Sequence, residues 1–358
     1  MKKIFIVVGT RPNFIKAYPL IEAFKKIDGI EIVIVNTNQH YDNIMAEDFL
    51  TEFNLDCRIN LYKIDISSIY DVFQIYCVSH KPDLVIVFGD TDSSMACALA
   101  AGKMNIPLAH IEAGERSYNL QMQEEKNRLI IDSLSNYLFC SSKEAYMLTF
   151  YDGIVYGKEV HEVGNIHADA IRMILTKPQD KALFSEKYAI LTLHRAENVD
   201  NKERLEKILM LINNIAEEYK YKFDIIFPIH PRTEKRLDEF NISFSMYNNI
   251  KKISPFNYTS FIRIVKNALF VMTDSGGLQT ETTMLDVPCL TLRNETEWHI
   301  TITDGTNFLV KDEYMNMQKL KPTIDNILGG RWKTAKDIKY WDGKTAERIV
   351  NILTKKEN

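Results

Sequence analysis

The residues of this chain that could do chemistry collect at recurring places, just after short apolar runs. Gly9-Thr10-Arg11-Pro12 follows Lys3 to Val8, Gly89-Asp90-Thr91-Asp92 follows Leu84 to Phe88, and Glu112-Ala113-Gly114-Glu115-Arg116 follows Leu108 to Ile111. Later in the chain, His194-Arg195-Ala196-Glu197-Asn198 and Thr273-Asp274-Ser275-Gly276-Gly277 stand in the same relation to apolar runs of their own. Asp90, Glu112, Glu124 and Glu125 supply carboxylates and His194 an imidazole. Such groups, with shifted pKa values, suit taking a proton from a carbon and returning one. Taken singly, each acid reads better as a solvated charge or a helix cap. His194 ends an apolar run beside Arg195, a poor setting for a core histidine, which favours a functional part for it.

The Thr273 to Gly277 segment precedes a helical stretch from Leu278 to Leu285. Glycines there let backbone N–H groups approach an anion, and the helix dipole favours negative charge, so Ser275, Gly276 and Gly277 read as a phosphate cradle. An ordinary glycine turn has the same composition, and the segment is neither a Walker loop nor a GxGxxG fingerprint. Glu281, one turn into that helix, could accept both hydroxyls of a ribose or stand as a solvated charge. Arg11 and Lys16 lie about one helical turn apart and could reach one anionic site, although such pairs are common on surfaces.

Short Ile- and Val-rich runs alternate with amphipathic stretches of helical length, the pattern of parallel strands joined by crossover helices. The runs predict strands over Lys3–Val8, Glu31–Val35, Leu84–Phe88, Leu108–Ile111, Tyr137–Cys140 and Val160–Val163. A second series covers Tyr188–Leu193, Asp224–Pro228, Ile250–Ile253, Leu269–Met272, Cys289–Leu292 and Phe308–Val310. The polar, proline-containing stretch from Thr176 to Lys181 divides the two series. We therefore expect an α/β protein of two Rossmann-like domains, 1–175 carrying the acids and 176–358 carrying the nucleotide grip, facing a central cleft. Thr345 to Leu353 has helical apolar spacing and is expected to close the chain, crossing back onto the first domain.

Composition bounds the partners. A chain of 358 residues that is 46% apolar can fill two cores. With 44 basic and 48 acidic residues, a net charge of -4 offers no general attraction to nucleic acid or to an anionic membrane, so neither is expected as a partner. The five cysteines, Cys57, Cys77, Cys97, Cys140 and Cys289, form no CxxC or Cys/His cluster, which argues against a disulfide framework or a metal site and fits the cytoplasm. The apolar run after Met1-Lys2-Lys3 is too short for a signal peptide, and no run is long enough to cross a bilayer.

These segments, in order and in register from Gly9 to about Val310, resemble the UDP-N-acetylglucosamine 2-epimerase family, whose fold is similar to that of the two-domain GT-B glycosyltransferases. The resemblance also takes in His110-Ile111-Glu112-Ala113-Gly114, Glu124-Glu125 with Asn127-Arg128, Val163-Gly164-Asn165, His230-Pro231-Arg232-Thr233, and Arg293 with Thr296-Glu297. It implies a non-hydrolysing 2-epimerase that interconverts UDP-GlcNAc and UDP-ManNAc: UDP is eliminated to leave 2-acetamidoglucal and is then added back. It also implies a homodimer that needs no NAD or metal. By position, Asp90, Glu112, Glu124 and His194 would serve proton transfer and UDP departure, while Arg11, Lys16, Arg128, Ser275, Gly276, Gly277, Glu281 and Arg293 would bind the UDP-sugar. The chain departs from the family pattern at Asn13 for a usual Glu, Glu115 for a usual Leu, Gln123 for a usual Pro, and Trp298-His299 for Arg-Pro. Trp298 resembles branches acting on UDP-2,3-diacetamido-2,3-dideoxyglucuronate, which keeps that substrate open, as the shared fold keeps open a hydrolysing epimerase or a glycosyltransferase. Gln39-His40 resembles part of the bacterial allosteric site for UDP-GlcNAc, although Asn60 to Ser79 is abbreviated where the family carries a longer segment.

Overall fold

Parallel strands buried on both faces need side chains that are apolar on both, and the runs of this chain meet that need in two separate sheets. The computed structural model describes residues 1–38, 51, 53, 55–61, 65–176 and 184–355. Gln39-His40 and Lys177 to Lys181 lie outside them. The chain divides into one unit of residues 1–176 with 339–358 and a second of residues 177–338.

The first unit runs β1 (Lys2–Val8), α1 (Arg11–Phe24), β2 (Ile30–Asn36), β3 (Ile59–Asn60), α2 (Ile66–His80), β4 (Leu84–Phe88) and α3 (Asp92–Lys103). It continues with β5 (Leu108–Ala113), α4 (Gln123–Leu134), β6 (Tyr137–Cys140), α5 (Lys143–Tyr151), β7 (Glu159–Glu162) and α6 (Ile166–Thr176). The strands form one seven-stranded parallel sheet in the order β3-β2-β1-β4-β5-β6-β7. Phe5 and Val7 of β1, Val33 and Val35 of β2, and Val85 and Val87 of β4 share one buried cluster with Phe73 of α2 and Ala98 of α3. Two-residue spacing along each strand puts these side chains on a common face.

In the second unit come β8 (Tyr188–Thr192), α7 (Ala196–Val199), α8 (Lys202–Glu218), β9 (Asp224–Pro228), α9 (Pro231–Glu239), β10 (Ile250–Ile253) and α10 (Tyr258–Lys266). They are followed by β11 (Val271–Thr273), α11 (Gly276–Met284), β12 (Cys289–Thr291), α12 (His299–Thr303), β13 (Asn307–Leu309) and α13 (Met317–Leu328). The sheet order is β10-β9-β8-β11-β12-β13, all parallel. Ala189 and Leu191 face the cluster under α8, whereas Tyr188 and Ile190 face the opposite cluster with Ile264 and Val265 of α10. A central strand buried on both faces explains why this run is apolar throughout rather than alternating.

The last helix, α14 (Thr345–Thr354), packs on α1 and α6 of the first unit. Its Ile349, Val350 and Leu353 are buried, and Asp169 of α6 accepts hydrogen bonds from the first N–H groups of the helix, Thr345 at 3.1 Å and Ala346 at 2.9 Å. The approach to it passes over Gly164, where any side chain would collide with the Tyr340 carbonyl and where φ is +94°, so the position calls for glycine.

Candidate active site

Each sheet has one place where the chain leaves in opposite directions from neighbouring strands, β1/β4 in the first unit and β8/β11 in the second. Beyond the carboxyl ends of such strands a crevice opens, and ligands of open α/β sheets bind there. The chemically capable residues stand at these two points.

In the first unit, Glu112 sits where β5 shifts register against β6, between Ile111 and Ala113, and takes φ +72°. That left-handed conformation costs a non-glycine residue free energy and is held by its surroundings. The bulge re-aims the side chain, whose Oε2 accepts a hydrogen bond from the Lys16 ammonium of α1, with both partners buried. The other oxygen, Oε1, is buried and accepts no hydrogen bond among the described residues. Burial raises the carboxyl above the ordinary glutamate range, and Lys16 opposes that shift only in part. Gly89, at φ +58°, lies close enough that a side chain there would press on Lys16 Nζ and Glu112 Oε2.

The next residue, Asp90, is gripped by Arg128 of α4, whose Nη2 donates to Oδ2 at 2.5 Å. Arg128 Nη1 donates at 2.5 Å to Glu125, which also accepts from the backbone N–H groups of Ser117 at 2.9 Å and Tyr118 at 3.1 Å. The turn carrying Asp90 is strapped by side chains: Asn13 and Ser94 donate to the Phe88 carbonyl at 3.3 and 3.0 Å, and Asn127 donates to the Asp90 carbonyl at 2.9 Å. Asn13 thus uses an amide donor that the usual glutamate lacks. Lys16, Asp90, Glu112 and Arg128 therefore come together in one charged cluster. Glu124 lies half-buried in the first turn of α4, and Arg11 half-buried in the first turn of α1.

In the second unit, Asp274 after β11 is fully buried and organises the end of β8. It accepts from the backbone N–H groups of His194 at 3.1 Å and Arg195 at 3.0 Å, and from Asn198 Nδ2 at 3.2 Å. It also faces His194 Nδ1 at 3.1 Å. Burial works to raise the Asp274 carboxyl, yet His194 and the two backbone donors hold it below the ordinary range. With Nδ1 turned to a carboxylate, the Nε2 edge of the partly exposed His194 ring is the one left for a ligand. Beside it, Ser275 caps α11 by accepting from the Leu278 N–H at 3.4 Å, and a side chain at Gly276 would collide with the Glu297 carboxylate. Buried Arg293 pairs with Glu297 at 3.1 Å and Glu197 at 3.3 Å, and buried Glu281 accepts from the Tyr258 hydroxyl at 2.8 Å. The Trp298 side chain is buried.

Two organising residues, Asp132 and Tyr258, have no motif around them. Asp132 continues the buried polar stripe Glu125, Arg128, Asp132 along α4 at helical spacing, a signal present in the sequence. Among the described residues, no cluster of three or more His, Cys, Asp or Glu side chains could hold a metal ion.

Parallel α/β units with buried acids at the switch point of one, and an aspartate-fixed histidine beside a glycine-rich helix N-terminus at that of the other, carry the side chains of an enzyme. The profile of the UDP-N-acetylglucosamine 2-epimerase family matches residues 22–354. The UDP-N-acetylglucosamine 2-epimerase of Methanocaldococcus jannaschii is 40% identical over 98% of this chain and 99% of its own. The UDP-2,3-diacetamido-2,3-dideoxy-D-glucuronate 2-epimerase of Pseudomonas aeruginosa is 32% identical over 99% of both. A crystal structure of the M. jannaschii enzyme in complex with UDP-GlcNAc and UDP superposes with a TM-score of 0.88, covering 98% of this chain and 99% of that one. The chain belongs to the UDP-N-acetylglucosamine 2-epimerase family and is an epimerase. The α/β, GT-B-like fold expected from its motifs is borne out.

Proposed function

We propose that this enzyme inverts carbon 2 of UDP-GlcNAc to give UDP-ManNAc without hydrolysis. One buried acid takes the proton from carbon 2 as the C1–O bond breaks and UDP leaves with the electron pair. UDP then adds back to the enzyme-held 2-acetamidoglucal, and a proton returns to the opposite face of carbon 2. Glu112 carries this reading. A carboxyl raised by burial, anchored by Lys16 through one oxygen and without a hydrogen bond from the described residues at the other, has the properties of a general base or acid. Asp90, held by Arg128, and Glu124 are its partners in proton transfer. The charge gathering on the departing diphosphate is met by His194, Arg11 and the N–H groups at Ser275, Gly276 and Gly277. Glu281 receives the ribose hydroxyls, and Arg293 holds the Glu297 carboxylate beside the glycine turn.

Support also comes from relatives that bear this activity in their names and from the M. jannaschii complex with UDP-GlcNAc and UDP. Proton NMR of the enzyme in heavy water with UDP-GlcNAc alone should show deuterium at carbon 2 of recovered UDP-sugar, with UDP-ManNAc formed. Asp90→Asn or His194→Ala should abolish exchange while UDP still binds, and near-normal exchange in both would overturn the assignment. Free N-acetylmannosamine would indicate a hydrolysing enzyme, and no turnover without an acceptor would indicate a transferase. Buried Trp298 and the P. aeruginosa relative favour including the diacetamido-glucuronate nucleotide as a second substrate in the same experiment.

The enzyme in this reading works in the cytoplasm as a homodimer. No described helix is long and apolar enough to cross a membrane. Ile75 and Val78 on the outer face of α2 are 66% and 65% exposed and would give such a dimer an apolar contact.

A further inference from the structure

The buried His110–Asp132 pair beneath the Asp90 turn has no part in the chemistry above. Both side chains are fully buried. The His110 ring places Nδ1 2.6 Å from Asp132 Oδ1 and Nε2 2.8 Å from the Gly89 carbonyl oxygen. Asp132 is an acceptor only: Arg116 Nη2 donates to Oδ2 at 2.7 Å and the Gly114 N–H at 3.1 Å, and although burial works the other way, His110 and Arg116 hold its carboxyl below the ordinary range. A carbonyl oxygen has no proton to give either. A neutral imidazole would therefore set a ring lone pair against an oxygen lone pair at one end.

We infer that His110 is held as an imidazolium and acts as a positioning residue: one N–H is anchored on Asp132, and the other fixes the Gly89 carbonyl and with it the turn that presents Asp90. This rests on the catalytic reading of Asp90. The other straps on the turn, from Asn13, Ser94 and Asn127, are neutral donors, so the bond from His110 is the charge-assisted one. It also meets the turn at Gly89, a glycine at φ +58° with no side chain of its own to hold the turn. The charged groups around the ring are Asp132 and, beyond it, Arg116, with Glu112 two residues along β5 and Lys16 paired to it.

Two measurements on the full-length enzyme test this. In long-range proton–nitrogen NMR of protein labelled at its eight histidines, one ring should carry protons on both nitrogens at about pH 7.5, where an exposed imidazole is mostly neutral. That signal should vanish in His110→Gln. Absence of any doubly protonated ring in the wild type overturns the inference, whether or not the variant folds. Glutamine can donate at only one end, so His110→Gln should lower kcat by about ten- to a hundredfold while KM and UDP affinity stay within about twofold, as expected for a displaced catalytic group rather than a lost binding contact. Unchanged kcat, or a loss confined to KM, overturns the positioning role. A wild type that exchanges no deuterium into any UDP-sugar would instead overturn the proposed function, leaving the ring protonation to be read by NMR alone.

Discussion

At the scale of single residues, the most unusual acid is Glu115, which stands where the family pattern has leucine. It is buried, and burial pushes its carboxyl up to about 8, with nearby Glu112 adding to the rise while the hydrogen bond from Ser141 Oγ and the charge of Arg128 work against it. The folded state thus prefers the neutral acid. The stability this gives is fully present below the ordinary glutamate value of 4.5 and is lost as pH rises through about 8, because the unfolded chain releases the proton earlier. Glutamine keeps the acceptor for Ser141 and has no proton to lose. Glu115→Gln should therefore match the wild type in urea unfolding near the lower limit and exceed it increasingly with pH, the gap levelling off above about 8 at several kcal/mol. Parallel curves across that range would refute the assignment. Motif reading reaches such residues unevenly. Asp90, Glu112 and His194 are legible because each ends an apolar run, whereas the pair Glu124-Glu125 gives no hint in sequence that Glu125 also takes two backbone N–H groups besides Arg128. Asp132 continues the helical stripe of Glu125 and Arg128, but its partner His110 and the partner of Tyr258, Glu281, are distant in sequence, which no local pattern announces.

Elements follow from the sequence more directly, because a strand between two helix layers must be apolar throughout, and such runs are short and bounded. Leu84–Phe88, Tyr137–Cys140, Asp224–Pro228 and Ile250–Ile253 have the expected limits, while β5 runs on to Ala113 because the bulge at Glu112 lets pairing with β6 resume. The two-residue β3 has too little sequence to form a pattern. Helix α14 shows how an element far along the chain completes a core: Ile349 is wholly buried where α14 meets α1 and α6, and Asp169 supplies the acceptors its N-terminus lacks. Ile349→Ala removes three buried carbons and should cost about 2–5 kcal/mol, read as a lower urea midpoint with an unchanged slope. Asp169→Ala strands two N–H groups instead and should cost about 0.5–2 kcal/mol. Limited proteolysis should cut ahead of α14 sooner in both variants, and equal resistance would mean that the first unit does not depend on this helix.

At the scale of the whole molecule, the question is what covers the outer face of α2. The inner stripe of that helix, Ile69, Phe73 and Cys77, is buried in the first unit's core, as an amphipathic helix requires. Ile75 and Val78 lie off that stripe and are about two-thirds exposed, and the adjoining helix α3 leaves Leu99 37% exposed. Adjacent exposed apolar side chains are suited to burial against a partner, and a symmetric pairing would bury the same side chains from both copies at once. Burying an exposed Ile or Val side chain contributes at most about 1.5–3 kcal/mol, so two from each copy would offset part of the entropy of association. Ile75→Glu with Val78→Glu would set four carboxylates in that contact. Light scattering should then show twice the chain mass for the wild type and the single chain mass for the double variant. Circular dichroism should be unchanged, because neither side chain supports the first unit's core. A wild type that runs as a single chain at tens of micromolar would refute the dimer and leave the outer face of α2 uncovered.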